Sequence, residues 1–119
     1  TTTPSTTPVL PDDKDLLRGK CIIAIGSYMP EMREIPDAVL ELVDNVYIEL
    51  PYACEESGDL SQPLASGKLT KDRVKLMHEY LISGEKEIKE GQTTYFKSVG
   101  MGLFDVCIAQ KLYEVAKEK

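Results

Sequence analysis

An α/β fold with parallel strands and flanking helices is what this chain predicts, and three observations carry the prediction. The run "CIIAI", Cys21 to Ile25, is short, apolar and rich in isoleucine, as a covered strand is. Within about thirty residues it is followed by an amphipathic stretch after Pro36 and a second strand-like run, "NVYIEL", which is the order of a parallel crossover. Near the end, "TTYFKSV" has strand composition and breaks at Gly100 into a last helix.

The totals bound the class of protein. A chain of 119 residues with 42% hydrophobic and 29% charged residues suits one globular domain and is too apolar for disorder. The net charge of −6 and the isoelectric point near 4.8 argue against nucleic acid, because no basic patch offsets them; "GEKEIKEG" and "EVAKEK" interleave Glu with Lys, as solvated faces do. Cys21, Cys54 and Cys107 are too scattered for a disulfide framework or a metal site and read as free thiols. No apolar run reaches membrane-spanning length and no signal-peptide pattern is present, so no membrane partner and a cytoplasmic location are expected.

The elements follow in order. "TTTPSTTPVLP" reads either as a disordered tail or as a loop that follows a strand. "DDKDLLRGK" offers a single helical turn closed by Gly19. Cys21–Ile25 reads as a strand covered on both faces, central in its sheet. Pro36 suits a helix start, with Val39, Leu40 and Val43 on one face, and Pro51 ends the strand after it. Residues 51–68 carry Pro51, Gly58, Pro63 and Gly67 with no sustained period, which predicts a loop with at most a short helix. A helix is expected from Thr70 as N-cap, with Val74, Met77 and Leu81 on one face, His78 beside them as an ordinary partly buried histidine, and Gly84 as the stop. The last helix, over residues 100–118, places Met101, Phe104, Ile108, Leu112 and Val115 on one side, and Asp105 within that stripe asks for a partner.

Common enzyme templates fail: there is no G-x-G-x-x-G, no P-loop, no G-x-S-x-G and no paired histidines. In open parallel sheets ligands bind at the carboxyl ends of strands, which directs attention to the turns after Ile25, after Leu50 and at Ser98 to Gly100. "EESGD", Glu55 to Asp59, fits either an amine-binding carboxylate cluster or a solvated turn. "FKSVG" fits either a ligand-facing serine with backbone N–H groups or a plain strand-to-helix junction.

Taken in order, "TTTPSTTPVL", "IIAIGSYMPEMREI", "EESGD" and "TTYFKSVGMGLFDVCIAQKLYEVA" resemble the carboxyl-terminal half of the ornithine cyclodeaminase and mu-crystallin family. The resemblance implies that residues 1–119 are the carboxyl-terminal portion of a Rossmann-type NAD(P)-binding domain. It places the glycine fingerprint and an amino-terminal substrate-binding and dimerising domain outside these residues, and it implies NAD or NADP as cofactor in a homodimeric whole protein. By position, Thr3 and Ser5 match a loop against the nicotinamide end of the cofactor, Ile25 and Gly26 a strand end facing the ring, and Ser98 a cofactor-contacting serine. Gly26 and Ser27 would keep that strand end free of bulk. Glu56 and Tyr28 match positions that face the substrate.

Tyr28 departs from the family's "G-x-D" turn, where an aspartate handles protons, so cyclodeamination is the disfavoured activity. The branch resembling mu-crystallin implies an oxidoreductase that reduces a cyclic ketimine or imino acid, or oxidises an amino acid. Its alternative is a non-catalytic protein that binds a small ligand. Residues 1–119 alone are expected to be inactive.

Overall fold

The computed structural model describes residues 1–83 and 88–118. Asp13 opens α1 (Lys14–Leu17) by accepting the N–H groups of Asp15 and Leu16, and Gly19 leaves the turn in the left-handed region at φ +71°. Strand β1 (Cys21–Ala24) leads through a loop to α2 (Asp37–Leu42). Pro36 gives α2 no side-chain cap, and Asp12 supplies one from a distance by accepting the Ala38 N–H at 2.8 Å. At the other end of α2 the Arg73 guanidinium donates to the carbonyls of Leu40 and Val43, each at 2.6 Å. Next come β2 (Val46–Ile48), α3 (Ala53–Glu56) and α4 (Gly58–Ser66). After them a single 3-10 turn (Lys71–Arg73) precedes β3 (Val74–Leu76), α5 (Met77–Ser83), β4 (Thr94–Lys97) and α6 (Gly102–Lys117).

The four described strands form one parallel sheet in the order β1-β4-β2-β3. Strand β4, last in sequence, thus enters between β1 and β2, and the β1–α2–β2 crossover spans it. Register places Ile22, Tyr95, Val46 and Val74 across one face, with Ala24, Lys97, Ile48 and Leu76 as the next row. That face is covered by Val39, Leu40, Ile35 and Leu60, all buried. Fully burying an aliphatic side chain of this kind contributes about 1.5–3 kcal/mol. On the opposite face Tyr47 packs against Tyr80 of α5 with ring centroids 5.2 Å apart, while Ile23 stays 47% exposed.

Several expectations change. Strand β1 is not central among the described residues: it lies at the end of the sheet, its burial alternates, and Ile25 falls beyond it. Its outer edge is met by Thr1, whose amino group donates to the Ile23 carbonyl and whose carbonyl accepts the Ile25 N–H, both bonds as in a parallel ladder. The expected loop over 51–68 is two helices, α3 and α4. The helix expected from Thr70 begins only at Met77, because Val74 to Leu76 extend to pair with β2. His78 is exposed, and Gly84, its expected stop, lies outside the described residues.

The last helix is shorter than 100–118. Gly100 takes φ +87°, Met101 is the N-cap, and no residue of α6 is buried. Asp105 is exposed like its neighbours, so the stripe it interrupts demands no partner for it. The Cα radius of gyration is 15.6 Å, against about 13.5 Å for a compact chain of this length.

Candidate functional site

Three turns meet at the carboxyl ends of β1 and β4, which are neighbours. The opening segment reaches β1 through Thr1; the turn after β1 begins at Ile25; and the Ser98 N–H donates to the Ala24 carbonyl at 3.0 Å. Four of the candidates, Thr3, Ile25, Gly26 and Ser98, are therefore side by side at one end of the sheet.

Glu34 binds two of these segments together. Its Oε1 accepts from the Thr3 N–H at 2.6 Å and the Thr3 hydroxyl at 3.0 Å; its Oε2 accepts from the N–H groups of Gly26 at 2.8 Å and Ser27 at 3.2 Å. Burial pushes this carboxyl up, but the bonds from Thr3 and Gly26 outweigh it and leave Glu34 below its ordinary value. The close fit also explains Gly26. A Cβ there would lie 2.1 Å from the Thr3 nitrogen and 2.6 Å from Glu34 Oε1, so the glycine is demanded by the protein's own packing. Ser5 continues the same clasp: its carbonyl accepts the Arg33 N–H at 2.8 Å, and its hydroxyl donates to the Thr7 carbonyl.

The loop between β1 and α2 is long because it joins a second element as well. Ser27 is buried, donates to the Met32 carbonyl, and shares a 2.8 Å hydroxyl contact with Ser57. The Gly58 N–H donates to the Met29 carbonyl, and Gln62 donates to the Pro30 carbonyl. Tyr28, 51% exposed, and Glu56, half-buried at the end of α3, lie one or two residues from these bonds. They occupy neighbouring segments without a hydrogen bond between them.

Of the carboxylates in "EESGD", Glu55 is exposed, as a solvated turn requires. Asp59 is not: it is 1% exposed, and its Oδ1 accepts from the N–H groups of Glu34 at 2.7 Å and Ile35 at 3.0 Å. Its Oδ2 faces Lys97 Nζ at 3.4 Å, an ion pair without a hydrogen bond between two fully buried side chains. Burial raises the Asp59 carboxyl and lowers the Lys97 ammonium, each against the pull of the other's charge. Neither sequence reading of Asp59 anticipated this structural pair.

On the other face, one residue past β2 and β4, Glu49 meets Ser98. Glu49 Oε1 accepts from the Ser98 hydroxyl at 2.8 Å and from the N–H groups of Val99 at 2.6 Å and Gly100 at 3.0 Å. Ser98 is thus tied to a carboxylate that sequence reasoning passed over. Glu34, Glu49 and Lys97 share one legible signal, a charge set within or beside a short apolar run, "REIP", "YIEL" and "YFKSV", whereas Asp59, in α4, carries no such signal.

A hollow of about 580 Å³ lies elsewhere, lined by Ile48, Cys54, Leu64, Val74 and Leu76, and contains none of the candidates. Among the described residues, no His, Cys, Asp or Glu group is arranged to hold a metal ion, and no helix is long and apolar enough to cross a membrane.

A parallel sheet with helices packed on it is a Rossmann-type α/β architecture. The sequence matches the profile of the Ornithine cyclodeaminase/mu-crystallin family over residues 1–119, and the chain belongs to that family. It is 37% identical over 122 residues to Delta(1)-pyrroline-2-carboxylate reductase of Bacillus cereus, covering all of this chain and 37% of that protein. It is 30% identical to the alanine dehydrogenase of Archaeoglobus fulgidus, again over 37% of that protein. The chain spans little more than a third of the curated relatives it matches. Among solved structures, a probable ornithine cyclodeaminase from Bordetella pertussis Tohama I superposes with a TM-score of 0.81 at 30% identity, over 100% of this chain and 39% of that one. Thermococcus litoralis Delta(1)-pyrroline-2-carboxylate reductase, in complex with NADH and L-proline, gives 0.80 at 23% identity over 98% and 36%, a likeness of fold.

Proposed function

We propose that these residues form the nicotinamide side of an NAD(P)-dependent oxidoreductase that reduces a cyclic ketimine carboxylate. The observation that carries the reading is the convergence of the Thr3, Ile25–Gly26 and Ser98 turns at adjacent parallel strand ends. Residues present suit a flat ring bearing an amide: Ile25 leaves about half of its apolar surface open, and Glu49 Oε2 is a buried acceptor with no hydrogen-bond partner. Bound there, the dinucleotide would supply a hydride to the imine carbon.

The chain's own contribution is positioning. Glu34 holds the Thr3 loop against Gly26, and Ser27 with Met29 holds the Tyr28 turn against the start of α4, so both sides of the strand end are fixed before a ligand arrives. Tyr28 and Glu56 flank that end as the substrate-facing pair. A phenol donates hydrogen bonds at neutral pH and accepts protons poorly, which suits a preformed imine and does not suit cyclodeamination. The whole protein would act as a homodimer on a small imine or amino-acid substrate.

The test is NAD(P)H oxidation by the full-length protein, with Delta(1)-pyrroline-2-carboxylate and with ornithine as alternative substrates. Turnover with the cyclic imine and no ammonia from ornithine is expected. Ammonia release at about 1 per second or faster would overturn the reading of Tyr28. Tight imine binding without NAD(P)H oxidation would replace the enzyme by a ligand-binding protein.

A further inference from the structure

Glu49 is buried, its unpaired Oε2 already figures in the reading above, and the same carboxylate determines what Ser98 is able to bind. A serine hydroxyl has one proton and two lone pairs. A carboxylate oxygen cannot donate, so the 2.8 Å bond commits the Ser98 proton to Glu49 Oε1. One lone pair of Ser98 Oγ accepts from the Gly100 N–H at 3.1 Å. The capacity left to Ser98 is a single lone pair, and a ligand group that meets it must present a donor. Oε2 of the same carboxylate is buried and has no hydrogen-bond partner, which adds a second acceptor beside the first. The Val99 and Gly100 N–H groups, the donors of this turn, are already taken by Oε1.

We infer that the Glu49–Ser98 pair is an acceptor-only site that selects a ligand bearing N–H, and that Glu49 is the positioning residue that sets this polarity. The inference rests on the cofactor reading above and sharpens it: the matching group is a primary amide NH2, as on the nicotinamide ring, and not a ketone or ester. An analogue whose amide is replaced by a ketone brings an acceptor to two acceptors, leaving buried polar groups unpaired.

The experiment is equilibrium binding of two oxidised dinucleotides, NAD and its 3-acetylpyridine analogue, to the full-length protein by calorimetry. The expected result is a dissociation constant at least about tenfold higher for the methyl ketone than for the amide, the size of one buried hydrogen bond left unmade. Ser98→Ala removes the lone pair without disturbing the Glu49 bonds to Val99 and Gly100, and should cut that ratio to about threefold or less. Glu49→Gln, which keeps an oxygen for the Ser98, Val99 and Gly100 donors and puts an NH2 in place of the unpaired Oε2 acceptor, should do the same, with Glu49→Asp restoring part of the discrimination. If Glu49→Gln does not fold, Ser98→Ala decides the matter. Equal affinity of the native protein for both dinucleotides overturns the inference while leaving the cofactor reading intact. Unchanged discrimination in Ser98→Ala or in a folded Glu49→Gln also overturns it. Where neither of these binds, the corresponding NADP pair is measured in the same way, and binding of neither pair overturns the cofactor reading and this inference with it.

Discussion

Glu34 gathers four donors onto one buried carboxylate, and its protonation should loosen the loops it joins. Its folded pKa lies below the ordinary 4.5, so the stabilisation it gives is present above that value and is lost as pH falls through the folded one. Asp59 has the opposite sign: raised above 3.8, it carries no penalty below that value and a growing one as pH climbs toward the folded pKa. Glu34→Gln should therefore lower stability at neutral pH by about 1–3 kcal/mol, for donors left unmatched, and flatten the acid limb of a urea-midpoint against pH profile. An acid limb as steep as that of the native protein would show that Glu34 is not the group responsible. Lys97 presents a different case, since removing it leaves Asp59 buried without its cation. Lys97→Met should cost about 3–5 kcal/mol, and adding Asp59→Asn, which keeps the acceptor for the Glu34 and Ile35 N–H groups, should recover most of it. Losses that merely add in the double variant would mean the two side chains do not act as a pair.

Among the elements, α6 is the least anchored: its 16 residues span about 24 Å, and none is buried. Helices of this length are marginal in water without packing, so in isolated residues 1–119 the α6 amides should exchange with solvent far faster than those of β4. Equal protection of the two would show that α6 has found a partner surface. The sequence revealed α1, β1, α2, β2, β4 and α6 because each carries its own period or cap. It hid α4, whose first residue is Gly58 and whose middle holds Pro63, both of which read as breakers. Gly58 is there for a tertiary reason: a Cβ would lie 2.2 Å from the Met32 carbonyl oxygen and 2.4 Å from that of Pro30. Strand β3 was hidden because Val74, Met77 and Leu81 share a helical period, and only pairing with β2 extends the first of them. The clamps were invisible for a similar reason. Glu34 meets Thr3 across 31 residues and Glu49 meets Val99 across 50, distances at which local pattern is silent. Resemblance supplied Thr3, Gly26 and Ser98 as positions, and the structure supplied the carboxylates that hold them.

At the scale of the molecule, the cofactor reading proposed above divides affinity between the ring end and a pyrophosphate-binding turn of the G-x-G-x-x-G type. The chain covers 37% of its Bacillus cereus relative, and no G-x-G-x-x-G occurs in its sequence. In domains of this architecture the pyrophosphate takes the helix N-terminus that follows a glycine-rich turn, and that anionic contact supplies much of the binding. On that proposed reading the described residues supply the ring end: an open Ile25, the Ser98 lone pair and two clamped turns. Residues 1–119 by themselves should therefore bind NADH at least about 100-fold more weakly than the full-length protein, the scale of two or more lost hydrogen bonds to a charged group. Circular dichroism must first show the isolated chain folded, because β1 depends at its outer edge on the bonds made by Thr1. Calorimetry on both proteins then decides. A folded isolated chain with low-micromolar affinity for NADH would mean that the ring end carries most of the binding energy, and the division of labour argued here would be wrong.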